Sequence, residues 1–321
     1  ISSVDCLDVK AVVELHKILE DWTLLEPQNA IEMLDFKFPD EKARQFALRC
    51  LDKMGDNELL SFLPQLVQAL KFELHHHSEL ALFLLRRALR NKNQIGHQLF
   101  WFLKAELHDH RVTERYGLLI EAFLGACGPF QRELYNEVRF QNDLVKIANE
   151  VKTIITQDEQ KNHLITSLAK LEYPENMALP IDSRLRFTRP VPNTGKVFSS
   201  KKKPLMLVLQ NYDPAGEDIR VIQKVGDDLR QDILTLQILR IMYTMLKNSQ
   251  LDIRMIPYQC IATGNEIGML ELVKDAETYG AIMAADERKL SVIGRDTVTQ
   301  WMIKQCERKE SKVTFDEAVE N

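Results

Sequence analysis

Val221-Ile222-Gln223-Lys224-Val225-Gly226-Asp227-Asp228-Leu229-Arg230-Gln231-Asp232 passes from one period of apolar spacing to another. Up to Lys224 it reads as the end of a β-strand, with β-branched residues and a lysine that can project from one face. Gly226-Asp227-Asp228 breaks the strand and offers an acidic N-cap. Leu229, Ile233, Leu236, Leu239 or Arg240, Tyr243 and Leu246 then recur at helical spacing, which predicts a helix of several turns over 233–247. A strand lysine beside a helix bearing carboxylates is an arrangement that fixes a cation against nucleotide phosphates. The same succession is common in α/β proteins, so the pattern alone leaves a purely structural reading open.

The wording says more than the pattern. Lys-Val-Gly-Asp-Asp-Leu-Arg-Gln-Asp-Ile-Leu-Thr-Leu-Gln, residues 224–237, resembles the segment that follows the ATP-binding lysine of phosphoinositide 3-kinases. Related wording occurs in phosphoinositide 4-kinases and in the large protein kinases of the same superfamily. The string therefore points more firmly to the superfamily than to the subfamily.

At 321 residues the chain has room for two domains, each with a substantial core. An apolar fraction of 45% with 28% charged residues is that of a globular protein. Lys+Arg number 42 against 47 Asp+Glu, a formal net charge of −5, which argues against a nucleic-acid partner. Local basic runs can still meet headgroups or phosphates. Five cysteines (Cys6, Cys50, Cys127, Cys260, Cys306) form no C-x-x-C pair, which predicts reduced thiols in a cytosolic setting and no zinc site. No apolar run approaches the roughly 20 residues that span a bilayer, and no signal peptide is read. A first residue of isoleucine and an end at Glu320-Asn321, inside an amphipathic pattern, are expected of a piece of a longer protein.

Residues 1–172 read as helix after helix. Apolar residues repeat helically over 9–19; Glu26-Pro27 opens a second helix through Ile31, Met33 and Leu34; Pro39-Asp40 caps a third through Phe46 and Leu51, ending near Gly55. Further helices are predicted over 59–74, 80–89, 94–107 and 113–127, with one longer and more polar over 130–171. Pairs recurring every roughly 35–45 residues suggest a stacked, HEAT-like α-hairpin array. His75-His76-His77 invites a metal reading, but consecutive positions on a helix face different directions, so exposed polar residues are expected. His108 and His110 are read likewise, and the all-round apolar run 99–103 as a helix buried between neighbours.

Leu66-Val67-Gln68-Ala69-Leu70-Lys71-Phe72-Glu73, Phe83-Leu84-Leu85-Arg86-Arg87-Ala88-Leu89, Ile95-Gly96-His97 and Phe100-Trp101-Phe102-Leu103 resemble the helical accessory domain of phosphoinositide 3-kinases. The resemblance covers most of 27–128 and favours a class I-like 3-kinase catalytic subunit over the relatives named above. It implies a rigid spine that docks other domains and, in class I enzymes, a regulatory subunit as a further partner.

Pro174, Pro180, Pro190 and Pro192 in a non-periodic stretch make 173–196 a linker on this reading. Residues 197–275 then alternate like sheet. Around Lys201-Lys202-Lys203 the pattern is strand, basic turn, strand; the turn is either a solvated hairpin tip or a loop that closes over triphosphate. Neither a Walker A motif nor G-x-G-x-x-G is present. The stretch resembles the phosphate-binding loop of phosphoinositide 3-kinases, which places Ser200, Lys202 and Pro204 in the nucleotide site, with Ser200 and Lys202 facing the phosphates. Met206 stands where class I members usually have a tryptophan beside the adenine.

Short β-rich segments at 251–257 and 259–262 and a strand at 267–273 complete a five-stranded antiparallel sheet with one main helix between its third and fourth strands, as in a kinase small lobe. On that resemblance Leu270, Glu271, Leu272 and Val273 form the hinge, with the Glu271 carbonyl and Val273 amide pairing with adenine. Ile222, Met206 and Tyr258 line the pocket, and Asp227, Asp232 and Tyr258 hold the polar inner edge beyond Lys224. Read structurally instead, Tyr258 is ordinary core and Asp228 a helix cap. Residues 276–321, with Trp301, Met302, Ile303, Phe315, Ala318 and Val319, look like the opening helices of a large lobe.

The whole is read as multidomain, α and α+β: a HEAT-like helical domain followed by a kinase-like small lobe. The resemblance implies ATP γ-phosphoryl transfer to the 3-hydroxyl of a phosphoinositide lipid at the membrane surface, by a cytoplasmic protein recruited there. Phosphoryl transfer also needs a group that orients the hydroxyl and a carboxylate for Mg²⁺. The family carries these on Asp-Arg-His-Asn and Asp-Phe-Gly segments, and neither string occurs here. No catalytic or metal residue is therefore assigned; Mg²⁺ ligands are expected beyond residue 321, and these residues alone are expected to be inactive. The competing readings are a phosphoinositide 4-kinase or superfamily protein kinase, and a non-catalytic α-repeat scaffold.

Overall fold

A computed structural model describes residues 8–274, 276–284 and 295–307, with Thr314 and Ala318. Two units divide them: one runs to Ile238 and takes up Gln259–Glu271, the other holds Leu239–Tyr258 and the described residues from Leu272 on.

The first unit opens with helices α1 (Val9–Asp21), α2 (Pro27–Ala30), α3 (Glu41–Leu51), α4 (Asp56–Ala69), α5 (Glu79–Arg90), α6 (His97–Ala105), α7 (Thr113–Ala126), α8 (Phe130–Thr153) and α9 (Gln157–Ala169). The starts of α1, α3, α5 and α9 are fixed by side chains that accept otherwise unpaired backbone N–H groups. The Asp40 carboxylate accepts from the Ala43 amide at 2.9 Å, and the Ser78 hydroxyl from the Ala81 amide at 3.2 Å. Stacking is between alternate helices, α3 on α5, α4 on α6 and α5 on α7, as in an array of α-hairpins. Trp101, Tyr116, Phe46, Phe83 and Phe123 fill the core.

The predicted helix over 130–171 is two helices. α8 ends at Thr153, and Thr156 caps α9: its hydroxyl donates to the Glu159 carboxylate at 2.7 Å and accepts from the Glu159 amide, within a continuous polar pattern. His75-His76-His77 lies in an exposed bend ahead of α5, not on a helix.

The sheet is antiparallel throughout and larger than the five strands expected. Its strands are β1 (Met177–Leu179), β2 (Asp182–Pro190), β3 (Lys196–Val197), β4 (Leu205–Asn211), β5 (Ile219–Val225), β6 (Cys260–Gly264) and β7 (Ile267–Glu271), in the order β1-β2-β4-β5-β7-β6. Helix α10 (Arg230–Asn248) lies between β5 and β6, as predicted. β2 and β3 share one edge of β4, separated by a turn at Pro192–Thr194. The stretch expected as a linker thus carries β1, β2 and β3; its prolines sit at strand ends and in turns, where no ladder N–H is needed. Residues 251–257, expected to be β-rich, hold no strand, and β7 ends at Glu271 rather than Val273.

Sheet and helices in this unit share one core. β1 and β5 pack against α8, β6 against α6 and β3 against α9. Phe140 of α8 meets Phe187 of β2 with ring centroids 5.1 Å apart. Deep in the stack, Glu137 accepts from the Trp101 indole at 3.0 Å and from His97 Nε2 at 2.7 Å, all three side chains being buried.

In the second unit, α10 continues from Leu239 and ends where Gln250 takes a φ of +63°. α11 (Tyr279–Ala284) packs against α12 (Arg295–Cys306), which carries Trp301, Met302 and Ile303 half-buried. Phe315 and Val319 lie outside the described residues, as does Cys6. Cys50 and Cys127 are buried free thiols, pushed up in pKa by burial.

Glu137→Ala strands two buried donors, so it should cost about 3–5 kcal/mol of unfolding free energy. Urea denaturation of the chain checks this, with Glu137→Gln, which keeps an acceptor, losing less.

Candidate functional site

Alternation along the strands sorts the predicted residues by face. Leu205, Leu207, Val221, Met269 and Ile261 are buried on one face. Met206, Ile222, Leu270 and Cys260 stand in register across β4, β5, β7 and β6 on the other, each half-buried. Lys224 lies two residues beyond Ile222 on that same face, opposite Gly268. The result is an apolar row with an ammonium group at its end.

The turn that follows β5 is held tightly. Gly226 has φ +83°, a left-handed conformation that costs other residues strain. The Gly226 and Asp227 amides both donate to the Glu266 carbonyl, at 2.7 and 3.0 Å. Glu266, in the β6–β7 turn, is itself left-handed at φ +52°. Gly268 is needed for close approach: a Cβ there would lie 2.3 Å from the Ile261 carbonyl oxygen and 2.5 Å from Leu229. Leu229 therefore seats the start of α10 directly on β7.

With the turn so fixed, Asp227 reaches back to Lys224, with Nζ and Oδ2 3.0 Å apart. Asp228 faces Arg230 instead, which donates to it at 2.7 Å and holds its carboxyl below the usual carboxylate range. The Arg230 amide also donates to the Asp228 side chain at 3.1 Å, which fits the cap reading. Asp232 is half-buried in the first turn of α10 and forms no ion pair among the described residues.

The basic loop ahead of β4 is a tight turn, the Lys203 amide donating to the Ser200 carbonyl at 2.9 Å. Ser200 and Lys202 are exposed, Pro204 half-buried. Lys202 comes to the glycine turn, its Nζ lying 3.6 Å from the point a Gly226 Cβ would occupy. The structure thus gathers Lys202, Lys224 and Asp227 around Gly226, beside the row of Met206, Ile222 and Leu270.

The remaining predicted residues are divided. Glu271 ends β7, and its carboxylate accepts from the Gln259 amide at 3.1 Å. Leu272 and Val273 are half-buried, without regular structure, and belong to the second unit. Tyr258 also belongs there, its carbonyl accepting from Arg240 at 2.8 Å. Among the described residues no three His, Cys, Asp or Glu side chains are grouped to hold a metal ion.

Two features of the site were not predicted. One is the Glu266 carbonyl, for which only the turn residues Gly264-Asn265-Glu266 gave a signal. The other is Lys152 of α8, whose Nζ donates to the Val225 carbonyl at 2.8 Å. Nothing in the sequence near Lys152 marks it.

Gly226→Ala should destabilise the chain by about 1–3 kcal/mol through backbone strain. Gly55→Ala, where no atom lies within 4 Å of the added Cβ, is the control expected to change the thermal midpoint less.

Two family models match: "Phosphoinositide 3-kinase family, accessory domain (PIK domain)" over residues 1–136, and "Phosphatidylinositol 3- and 4-kinase" over residues 218–319. The chain is 41% identical over 318 residues to Phosphatidylinositol 3-kinase 2 of Dictyostelium discoideum, covering 99% of this chain and 17% of that protein. It is 38% identical over 319 residues to Phosphatidylinositol 3-kinase 1 of the same organism, covering 99% and 20%. With the human Phosphatidylinositol 4-phosphate 3-kinase C2 domain-containing subunit beta the identity is 39% over 274 residues, covering 84% and 17%. The chain spans 17–20% of the length of these relatives.

Proposed function

Because the chain belongs to the phosphoinositide 3-kinase family, we propose that it works within a lipid kinase that moves the ATP γ-phosphate to the 3-hydroxyl of phosphoinositides. The observation that carries this reading is the Lys224–Asp227 pair at 3.0 Å, set beside Lys202 at a glycine turn and at the end of an apolar row.

On this reading ATP lies along the half-buried face of the sheet. Met206, Ile222 and Leu270 form an apolar surface for adenine, and the Glu271 carbonyl and Val273 amide supply the hinge hydrogen bonds. Lys224 donates to phosphate oxygens, its ammonium already held in place by Asp227, so little side-chain freedom is lost on binding. Ser200 and Lys202 cover the phosphates from the loop, with Pro204 at its end. Asp232 completes the polar inner edge. The lipid is met at a membrane surface by a cytoplasmic protein; no described helix is long and apolar enough to cross a membrane. A regulatory subunit is a further proposed partner of the helical region.

Mg²⁺ would neutralise charge between the phosphates. No ligand for it is assigned among the described residues, where Asp227 is already paired with Lys224. The strings that orient the hydroxyl and hold the metal elsewhere in the family are absent from these residues, so the chain by itself is proposed to be inactive on lipid.

Phosphorylation of phosphatidylinositol vesicles by the intact protein, with the product's phosphate position determined, tests the reading. A 3-phosphorylated product that falls by a factor of about 100 or more in Lys224→Met is expected. No lipid product, or one indifferent to Lys224→Met, overturns it. The purified 321-residue chain should give no product in the same assay; robust turnover there would refute the proposed inactivity.

A further inference from the structure

Between α8 and the phosphate side of the sheet, two lysines exchange bonds in opposite directions. Lys152, in the last turn of α8, donates to the Val225 carbonyl at 2.8 Å. Lys203, in the basic loop, donates to the Ile154 carbonyl at 3.2 Å, just past the end of the same helix. Ile154 caps α8 in an extended conformation, and its carbonyl, outside the helix, is shared between Gln160 and Lys203. A lysine is the natural partner for each carbonyl, and the two bonds close a loop of contacts between helix, basic turn and glycine turn. Lys203 adopts φ +45°, a strained conformation that persists only where the surroundings hold it.

Charge adds a second observation. The Nζ atoms of Lys152 and Lys202 each lie 3.6 Å from the point where a Gly226 Cβ would sit. Burial and the charge on Lys202 lower the pKa of Lys152. Both lysines meet carbonyls or solvent, and neither is ion-paired with a carboxylate among the described residues. Two like charges held together without an anion are unfavourable, and a bound phosphate would relieve them.

We propose that Lys152 is a positioning residue of the nucleotide site: from the helical region it fixes the Val225–Gly226 turn that presents Lys224 and, with Lys202, raises the positive potential met by the nucleotide phosphates. The partner chemistry is a nucleoside triphosphate, and the inference rests on the ATP reading of this site. Helix α8 then acts as the wall against which both phosphate-binding segments are braced. Loosening that brace weakens the hold on ATP more than it slows the transfer step.

The test uses the intact protein and measures KM for ATP and kcat on lipid vesicles for Lys152→Met, Lys152→Arg and Lys224→Met. Lys152→Met keeps the aliphatic stem and should raise KM for ATP about threefold to tenfold with kcat within about twofold, while Lys152→Arg restores KM to within about twofold of wild type. A wild-type KM in Lys152→Met, or a loss of turnover that tracks only a lowered thermal midpoint, overturns the proposal. If Lys152→Met does not fold, Lys203→Met breaks the same brace from the loop side and should show the same KM rise; an unchanged KM there overturns the proposal equally. Lys224→Met separates the two levels. Should it leave ATP turnover intact, the ATP reading itself fails; should it abolish turnover while Lys152→Met behaves as wild type, only the role of Lys152 falls.

Discussion

Phe140 on α8 is packed by Phe187 from the sheet at 5.1 Å and by Tyr173, edge-on, at 5.3 Å. Phe140 and Phe187 are fully buried, and the core they belong to runs without a break from the helical stack into β4, β5 and β7. Burying such side chains contributes roughly 1.5–3 kcal/mol each, whereas the hydrogen bonds between helices and sheet contribute about 1 kcal/mol apiece. Packing therefore sets where the sheet lies, and the polar contacts refine it. Gln98 meets the Ile181 carbonyl, Lys104 the Thr263 carbonyl and Lys152 the Val225 carbonyl, each a helix donor answering a backbone acceptor at a strand end or turn.

The site inherits its geometry from that arrangement. The Glu266 carbonyl takes two amides from the glycine turn, so the position of Asp227 depends on the β6–β7 hairpin, and the hairpin in turn depends on Gly268 admitting Leu229. Although the chain carries a formal charge of −5, the Nζ atoms of Lys152 and Lys202 both come to Gly226, next to the Lys224–Asp227 pair. A local excess of positive charge on an acidic chain suits a small polyanion better than a long one.

What the sequence made legible were the features written in consecutive residues. The strand-to-helix switch at Gly226 was readable because the apolar period changes there, and the alternation of Met206 and Ile222 because a strand has a period of two. β1 and β2 were hidden by their prolines, which signal a linker unless it is known that they fall at strand ends. The break at Thr156 was masked because the polar pattern continues across it, and His75–His77 fell in a bend where a helix was read. Lys152 could not be found at all: its contact with Val225 spans 73 positions, and a lysine on a polar helix has no local mark. Asp232 was legible as a helix residue, but its separation from Lys224 depends on which aspartate the turn swings inward.

The short stretch between α8 and α9 has a consequence for how chain length can change. Thr153 ends one helix, Thr156 caps the next, and the Ile154 carbonyl between them accepts from both Gln160 and Lys203. One added residue there would separate the Ile154 carbonyl from one or both of these donors and loosen the seat of α9, whose Leu164 and Leu168 are buried in the core. The hairpin tip at Asp213–Gly216 is exposed and closed by its own side chains, with nothing beyond it to move. An inserted residue should therefore disturb less at 213–216 than at 154–156, although both are short connections on the same polypeptide.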